Sequence, residues 1–270
     1  MQRLIVWLKF IRPSNGLLAA IATIVGMLVA GKFSVVLAVV APLAVFLICS
    51  AGIVLNDIYD LEIDKINSPE RPLPSKTVSL REAWLFTILL FAIGNLLAIS
   101  INYYCFALAI LNSFLEFLYA RKLKRIALIG NATDSWFAAS SFLFGSLALA
   151  NINFAVVFIM LIAFFANFGR ELFGDIEDIE GDKKLGLKTL PILCGIKISR
   201  AVASLLILIA VILSFMPIYL KLFNWYYLPT IIMADIVFVV SLFTTPKKNQ
   251  LLTKIAMLLA LIAFVVGVVL

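Results

Sequence analysis

The chain contains no histidine, only three cysteines and few charged residues, and each shortage excludes a class of protein. Without histidine, the commonest proton shuttle and metal ligand near neutral pH is missing. Cys49, Cys105 and Cys194 lie far apart, without the spacing of a zinc site or of a disulfide framework. Charged residues make up 14% of the 270 residues, which leaves too little polar surface to cover a water-exposed fold.

Apolar residues, in contrast, make up 64% of the sequence, against about 45–50% in a soluble domain. Lipid is therefore the expected main solvent, and helices that satisfy their own backbone hydrogen bonds are the expected architecture. The apolar segments are apolar on all sides, whereas the strands of a membrane β-barrel alternate apolar and polar residues. The N-terminal stretch lacks a small-residue cleavage pattern, so we expect a retained first helix rather than a signal peptide.

Stretches of about 20 mostly apolar residues, long enough to span a bilayer, occur nine times. They cover roughly residues 13–31, 33–55, 83–101, 103–120, 126–150, 152–169, 201–220, 226–244 and 251–270. No charge separates the third stretch from the fourth, and we divide them at Ser100-Ile101-Asn102. We therefore expect an all-α, polytopic membrane protein with nine transmembrane helices in a single domain over residues 1–270.

Three acidic residues, Glu116, Asp134 and Asp235, lie alone inside these apolar stretches. Charge is costly at such positions, so we expect these side chains to face protein or water rather than lipid. Asp235 is isolated from the other acids, and for it we expect a structural or merely tolerated role.

The basic residues predict the orientation of the chain. With the N-terminus in the cytoplasm, nine spans place 20 of the 22 Lys and Arg residues on the cytoplasmic side and leave only Lys32 and Lys221 outside. The C-terminus of this cell-membrane protein then lies outside. The same placement accounts for the net charge of +7 without a nucleic acid partner, so the lipid bilayer is the expected partner.

Twelve of the 15 acidic residues lie in the two longest connections, which follow the second and sixth spans. The first connection contains NDIYDLEID from Asn56 to Asp64, and the second contains DIEDIEGD from Asp175 to Asp182. Aspartates occur at i, i+3 and i+7 in each, giving a first trio of Asp57, Asp60 and Asp64 and a second trio of Asp175, Asp178 and Asp182. If the second and sixth helices continue through the motifs, each trio lies on one helix face. The repetition suggests an internal duplication, and connections of roughly 25 to 30 residues predict a cytoplasmic cap over a site.

Carboxylates at this spacing repel one another, so a chain that keeps them is expected to neutralise them with a cation. Hard oxygen ligands without His or Cys favour Mg²⁺ or Ca²⁺ over zinc, and the twelve-residue calcium loop is absent. Mg²⁺ is usually bound jointly by carboxylates and substrate phosphates, so two facing trios predict a clamp for a diphosphate. The alternative is that these are solvated loop charges beside a membrane.

Basic residues follow both motifs and could contact phosphate oxygens. Arg71 and Lys76 follow the first motif, and Lys183, Lys184 and Lys188 follow the second. A further basic cluster at 121–125 ends the fourth span, directly after Tyr119. Arginine offers two parallel hydrogen bonds to a phosphate, and lysine acts as a point charge. Orientation in the membrane alone would also place basic residues on this face.

At these residues the chain resembles the UbiA superfamily of intramembrane prenyltransferases. The family motif N-D-x-x-D-x-x-x-D is met by Asn56 with the first trio, and the second aspartate-rich motif is met by the second trio. Arg12-Pro13 and Asn15 look like the start of the family's first span. Tyr119 with Lys124 resembles its tyrosine-lysine element, although the spacing is one residue longer than the common form.

The resemblance implies a Mg²⁺-dependent prenyltransferase with nine helices and an intramembrane cavity. No obligate protein partner is evident from the sequence. It implies that all six aspartates are catalytic. The implied metal ligands are Asn56, Asp60, Asp64, Asp175, Asp178 and Asp182. The implied substrate-binding residues are Arg12, Asn15, Asn56, Arg71, Tyr119, Lys124, Arg170 and Lys188.

Asn56 to Ser75 and Asp175 to Pro191 look closest to the branch that adds the second prenyl ether in archaeal lipids. That branch moves a geranylgeranyl group from geranylgeranyl diphosphate to the free hydroxyl of geranylgeranylglyceryl phosphate. An aspartate or the departing diphosphate could take the hydroxyl proton, and the sequence does not choose between them. Aromatic side chains are expected to line the tunnel and favour an allylic cation.

Two alternatives remain at this stage. Within the family, the acceptor could be aromatic, as in quinone, haem or chlorophyll pathways. From another class, a cation transporter also uses intramembrane acids and internal repeats, but it predicts acids near the bilayer midplane. Twelve of the 15 acids lie instead at the expected cytoplasmic ends, which favours the enzyme.

Overall fold

The computed structural model describes residues 2–31, 34–184 and 186–269, and these residues fold as helices joined by short connections. The helices are α1 Gln2–Ile11, α2 Pro13–Val29, α3 Leu37–Tyr59, α4 Leu61–Asn67, α5 Leu80–Ile101, α6 Tyr103–Arg121, α7 Ile129–Ala148, α8 Phe154–Glu177, α9 Ile179–Lys184, α10 Leu190–Cys194, α11 Ile196–Ser214, α12 Met216–Tyr219, α13 Tyr227–Leu242 and α14 Pro246–Val269. Among the described residues, the one β-type contact is an isolated parallel bridge between Ile126 and Lys188. Lys32, which the sequence assigned to the outer surface, lies outside the described residues.

Six segments are long and apolar enough to cross a membrane. They are Leu37–Tyr59, Leu80–Ile101, Tyr103–Arg121, Phe154–Glu177, Ile196–Tyr219 and Pro246–Val269. Ile5–Ile11 and Pro13–Val29 form a pair bent by 58°, which would make a seventh. The prediction of an all-α, multi-pass membrane protein is thereby confirmed. The six spans do not confirm the count of nine, because α13 has only 16 residues and α7 is not among the six.

The bend between α1 and α2 follows from the local sequence. Arg12 has left-handed backbone angles, φ 43° and ψ 68°, and Pro13 is the first residue of α2. A residue before proline is driven out of the helical region, and proline is itself favoured at the first helical position. The turn therefore ends α1 at Ile11 and directs the Arg12 side chain toward the end of α3, where it meets Asp57.

The division between α5 and α6 falls where the sequence predicted it. α5 ends at Ile101, Asn102 is extended, and its side chain accepts a hydrogen bond from the Cys105 N–H at 2.9 Å. Asn153 caps α8 in the same way, through the Val156 N–H at 3.0 Å. Asparagine at such a position supplies an acceptor for a backbone donor that lacks a partner inside the helix.

The helices pack closely where small residues face each other. α2 and α7 cross at Gly26 and Gly145, and a Cβ at either glycine would collide with a backbone carbonyl of the other helix, that of Phe142 or of Thr23. Small residues that let backbones approach are typical of helix packing in membranes. The remaining space between α2, α3, α6, α7, α8 and α14 forms a cavity that holds the candidate site.

Candidate active site

Both aspartate motifs lie at a helix end and contain a break at the middle aspartate. α3 ends at Tyr59 and α8 at Glu177. The helices therefore do not continue unbroken through the motifs, which was the condition for each trio to lie on one helix face. Asp60 (φ −95°, ψ 5°) and Asp178 (φ −91°, ψ 6°) have nearly the same backbone angles. The helical repeat of hydrogen bonds continues past each break, because the N–H groups of Asp64 and Asp182 donate to the carbonyls four residues earlier. Two matching breaks are what an internal duplication predicts.

Basic side chains from three separate parts of the chain hold the first trio. Arg12 from the α1–α2 turn donates to Asp57 at 2.5 Å. Lys124 from the connection after α6 donates to Asp60 at 2.6 Å. These contacts join the predicted basic residues to the predicted carboxylates.

Arg71 holds the remaining member of the first trio, from the connection after α4. It donates to both oxygens of Asp64 at 2.6 Å and lies 3.8 Å from Asp57. Burial alone would lower the pKa of Arg71, but its hydrogen bond with Asp64 and the nearby carboxylates outweigh this effect and raise it. The guanidinium therefore stays charged and links two carboxylates of the trio.

The second trio has a different environment. Asn131 at the start of α7 donates to Asp175 at 3.0 Å, and no ion pair to the second trio occurs within the described residues. Burial raises the pKa of Asp178, and burial together with the charge of Asp178 raises the pKa of Asp182. The two motifs therefore differ in charge balance, with basic partners at the first and an acidic surplus at the second.

The connection between α6 and α7, together with the first turn of α7, touches both motifs. Lys124 reaches Asp60, Ile126 forms the backbone bridge to Lys188 just after the second motif, and Asn131 reaches Asp175. The two trios consequently lie at the same end of the helix bundle, on either side of this connection.

The residues present fit a magnesium ion in their chemistry. The two trios supply six carboxylates, and the Oδ1 atom of Asn56 is buried without a hydrogen-bond partner within the described residues. Oxygen ligands of this kind are those that Mg²⁺ prefers, together with waters and substrate phosphates. Within the same residues no group of three acidic side chains lies close enough together to hold a metal ion.

Below this end of the bundle, a cavity of about 450 Å³ runs between the helices. Its size is within the roughly 300–1,000 Å³ range of ligand pockets. Much of its wall is apolar and several aromatic rings face it, as the sequence predicted. These are Tyr119, Phe137, Phe142, Phe144, Phe238 and Phe264. Polar groups line the rest of the wall, including Asn15, Asn56, Glu116, Asp134, Asn167, Arg170, Glu171 and Lys254.

Arg170 is fixed in the cavity wall by its neighbours. It donates to Asn167 Oδ1 at 3.0 Å and to Gln250 at 3.0 Å, and it contacts Glu171. Gln250 in turn donates to the Arg170 carbonyl at 2.7 Å, which joins α14 to α8. A guanidinium held in this way presents a constant charge to the cavity.

The remaining predicted substrate residues are placed differently. Asn15 and Tyr119 line the cavity, and the ring of Tyr119 lies 6.0 Å from that of Phe137. The Lys188 side chain is exposed and is not among the residues of the cavity wall. The structure therefore divides the predicted substrate residues between two places. The cavity wall contains Asn15, Asn56, Tyr119 and Arg170. Contacts with the first trio are made by Arg12, Arg71 and Lys124, and Lys188 belongs to neither group.

Several polar residues of the site were not singled out by the sequence. Asn131, Asn167 and Gln250 hold Asp175, Asp134 and Arg170 respectively. Asn131 and Asn167 could have been found from the sequence, because polar side chains inside apolar stretches mark interior or functional positions. Gln250 lies just before the last apolar stretch and gave no such signal. Asp235 accepts a hydrogen bond from Ser214 at 2.8 Å outside the cavity wall, in agreement with the structural role expected for it.

Comparison with known proteins identifies the family. The model of the UbiA prenyltransferase family matches residues 19–265. The digeranylgeranylglyceryl phosphate synthase of Methanococcus maripaludis is 38% identical over 272 residues, which cover 97% of each chain. A solved structure described as digeranylgeranylglyceryl phosphate synthase in membranes has a TM-score of 0.86 at 38% identity, covering 100% of this chain and 99% of that one.

A more distant solved structure shares the fold. It is a UbiA homologue from Archaeoglobus fulgidus bound to GPP and Mg²⁺, with a TM-score of 0.77 at 22% identity, covering 97% of this chain and 98% of that one. The resemblance seen in the aspartate motifs is thus confirmed over nearly the whole chain: it belongs to the UbiA prenyltransferase family.

Proposed function

We propose that this protein transfers a geranylgeranyl group from geranylgeranyl diphosphate to the free hydroxyl of geranylgeranylglyceryl phosphate and releases diphosphate. One structural observation carries the proposal: an apolar, aromatic-lined cavity ends in polar groups at the end of the bundle where both trios lie. A prenyl diphosphate has the same division, with a long apolar tail and an anionic head. The names of the relatives that are 38% identical over nearly full length support this particular acceptor.

The head of the donor would be bound by the aspartate motifs. Asn56, Asp60, Asp64, Asp175, Asp178 and Asp182 would hold Mg²⁺, which supplies positive charge to the diphosphate leaving group when bound. Arg71 and Lys124 lie against the first trio, where they can turn from carboxylate to phosphate oxygens. Positive charge fixed in advance around the leaving group favours ionisation of the C–O bond.

The tail of the donor would lie in the cavity. Burial of each CH₂ group contributes about 0.8 kcal/mol, so a long prenyl chain is strongly stabilised in an apolar cavity relative to water. Phe137 and Tyr119 line the polar half of the wall, where their ring faces can favour an allylic cation. The same walls exclude water, which would otherwise intercept the cation.

The phosphate of the acceptor needs a cationic site separate from the diphosphate site. Arg170 and Lys254 both line the cavity, on α8 and α14, and would serve this purpose. Arg170 is fixed by Asn167 and Gln250, so it can bind an anion without first becoming ordered. Lys188 would act at the exposed rim beside the second motif.

For the placement in the membrane, we propose nine spans with the N-terminus and both trios on the cytoplasmic side and the C-terminus outside. α7 and α13 would supply spans beyond the long apolar helices, and the bent α1–α2 pair would supply the first. The connections that carry α4, α9 and α10 would form the cytoplasmic cap. The bias of 20 of 22 basic residues toward one side supports this arrangement.

The test is a transfer assay with labelled geranylgeranyl diphosphate. Membranes bearing the protein receive geranylgeranylglyceryl phosphate or 4-hydroxybenzoate, each with Mg²⁺ or with a chelator. We expect Mg²⁺-dependent labelling of the glyceryl phosphate alone, which Asp60→Ala and Asp175→Ala abolish. Glu62→Ala is the matched control, because this acid lies in the same motif but is 80% exposed and, within the described residues, pairs with Lys65 alone.

Each other outcome has a definite meaning for the acceptor. Label only on the aromatic acid would replace the lipid acceptor by an aromatic one while keeping the metal-dependent chemistry. Transfer to neither acceptor, beside an active relative as positive control, would refute the proposed pair of substrates.

A further inference from the structure

Glu116 on α6 is a buried acid in the cavity wall that the aspartate motifs leave unexplained. Glu116 is only 8% exposed, and its carboxylate forms no hydrogen bond or ion pair within the described part of the chain. The other two acids of the wall have partners, because Asn167 donates to Asp134 and Arg170 contacts Glu171. Glu116 is therefore the cavity acid whose acceptor capacity is unused.

The carboxylate of Glu116 lies directly over Gly52 of α3. A Cβ added at Gly52 would collide with both carboxylate oxygens, so a glycine is required for the side chain to take this position. Asn56 lies four residues beyond Gly52, at about 6 Å of helix rise, and Asp60 lies about 12 Å beyond it. The carboxylate is thus at the depth between the aspartate motif and the apolar part of the cavity.

This depth is where the reacting atoms must meet if the proposed function holds. With the diphosphate at the motifs and the tail in the cavity, the first carbon of the prenyl chain lies between them. The acceptor hydroxyl has to reach that carbon, and its proton has to leave. No histidine is available anywhere in the chain to accept it.

A buried carboxylate without a partner is costly, so such a group is expected to gain a donor from a ligand. Arg12, Arg71 and Lys124 are all engaged with the first trio, outside the cavity wall. The hydroxyl of the acceptor substrate can donate the hydrogen bond that the Glu116 carboxylate lacks.

From this geometry, and resting on the proposed function, we propose that Glu116 is a catalytic residue that binds the acceptor hydroxyl and takes its proton. The hydroxyl oxygen forms a bond to the first carbon of the prenyl chain. The bond from that carbon to the diphosphate breaks, and the diphosphate leaves with the electron pair. The hydroxyl proton passes to the Glu116 carboxylate, so atoms and charge balance, and it returns to solvent after product release.

The first experiment compares the wild type with Glu116→Gln, which keeps size and hydrogen bonding but removes the base. General-base catalysis typically contributes about 10²–10⁴-fold, so we expect kcat to fall by about a hundredfold or more. Mg²⁺-dependent binding of a non-hydrolysable geranylgeranyl diphosphate analogue should stay within about threefold of the wild type. Asp235→Asn is the matched control, a buried intramembrane acid outside the cavity wall that should keep wild-type kcat.

The second experiment separates a base from a structural group. An acceptor that carries a thiol in place of the hydroxyl loses its proton far more readily, since a thiol has a pKa of about 8.5. The Glu116→Gln enzyme should therefore lose much less activity with the thiol acceptor than with the alcohol. Gly52→Ala, which displaces the carboxylate, should lower kcat with the alcohol in the same manner.

The outcomes are distinct from those of the proposed function. If the wild type transfers to geranylgeranylglyceryl phosphate but Glu116→Gln stays within about threefold of it, an aspartate or the diphosphate takes the proton and Glu116 is not the base. Equal losses with the alcohol and the thiol would assign Glu116 a structural role. If Glu116→Gln does not fold, Glu116→Asp is measured instead, because it keeps a carboxylate on a shorter side chain. If folded Glu116→Asp retains less than about a thousandth of wild-type kcat with both the alcohol and the thiol acceptor, the proposal is also refuted. A wild type without transfer would refute the proposed function, and this proposal with it.

Discussion

At the scale of single residues, the basic cluster after α6 shows how little linear spacing says about a contact. α6 ends at Arg121, and a short 3₁₀ turn, Leu123–Arg125, follows it. Residues beyond Arg121 therefore no longer keep the spacing of an α-helix with Tyr119. The Lys124 side chain is only 16% exposed and donates to Asp60 at 2.6 Å, although it lies one position later than the family pattern expects.

This contact predicts a difference between two neighbouring lysines. Lys124→Met removes the partner of Asp60, while Lys122→Met alters a side chain that is exposed. We expect Lys124→Met to reduce kcat/KM for the prenyl diphosphate by about tenfold or more, since a charge-assisted hydrogen bond is worth about 1.5–3 kcal/mol. Steady-state transfer assays on both variants measure this difference. A larger loss of kcat/KM for Lys122→Met than for Lys124→Met would contradict the assignment of the motif contact to Lys124.

At the scale of a helix, the start of α5 is fixed by a capping box. The Ser79 hydroxyl accepts from the Glu82 N–H at 3.2 Å, and Glu82 accepts from the Ser79 N–H at 2.8 Å. These reciprocal bonds satisfy donors that the first turn of a helix leaves without partners.

The capping box predicts a small contribution to stability. Glu82→Ala removes the acceptor of the Ser79 N–H, so we expect the melting temperature in detergent to fall by about 1–2 °C. Glu70→Ala, at an exposed acid of the preceding connection, should melt like the wild type. Equal melting temperatures for both variants would show that the reciprocal bond adds nothing to stability.

Close helix packing gives a second prediction at this scale. At the α2–α7 crossing, Gly145→Ala would drive a methyl group into the Thr23 carbonyl and push the helices apart. Overpacking typically costs about 1–3 kcal/mol, so we expect the melting temperature in detergent to fall by several degrees. Gly181→Ala is the control, because nothing lies within 4 Å of the added methyl and no positive φ is involved. Equal melting temperatures for both variants would show that the crossing can relax.

At the scale of the whole molecule, the sequence predicted the features that depend on composition along the chain. Apolar length located the long helices, and the polar residues Ser100 and Asn102 marked the division between α5 and α6, where the structure shows Asn102 as the cap of α6. The partners of the aspartates were not predictable, because Arg12, Arg71 and Lys124 reach them from positions 7 to 64 residues away. The left-handed turn at Arg12 and the crossing at Gly145 also depend on tertiary packing, which hydropathy does not describe.

The proposed orientation of the whole molecule rests on the distribution of its basic residues and can be tested with the chain's own thiols. Cys194 is exposed and follows the second motif, whereas Cys105 is buried and Cys49 lines the cavity. Trp225 is 76% exposed and lies beyond α11 and α12, on the opposite side of the membrane in the proposed topology. We expect a membrane-impermeant maleimide to label Cys194 only in inside-out vesicles. In a Cys194→Ser background, Trp225→Cys should be labelled only in right-side-out vesicles.

These labelling patterns separate the two parts of the topology, because orientation and span number affect them differently. Both patterns reversed would invert the orientation while keeping one crossing between residues 194 and 225. Labelling of both sites from one side would mean that the apolar segment Ile196–Tyr219 does not cross, and the nine-span count would then fail at α11. The Cys194→Ser protein without the second change measures labelling at Cys49 and Cys105 and must stay near background. The predicted pattern would place the second trio on the cytoplasmic side, where water-soluble Mg²⁺ and the phosphate groups of both substrates can reach it from the same compartment.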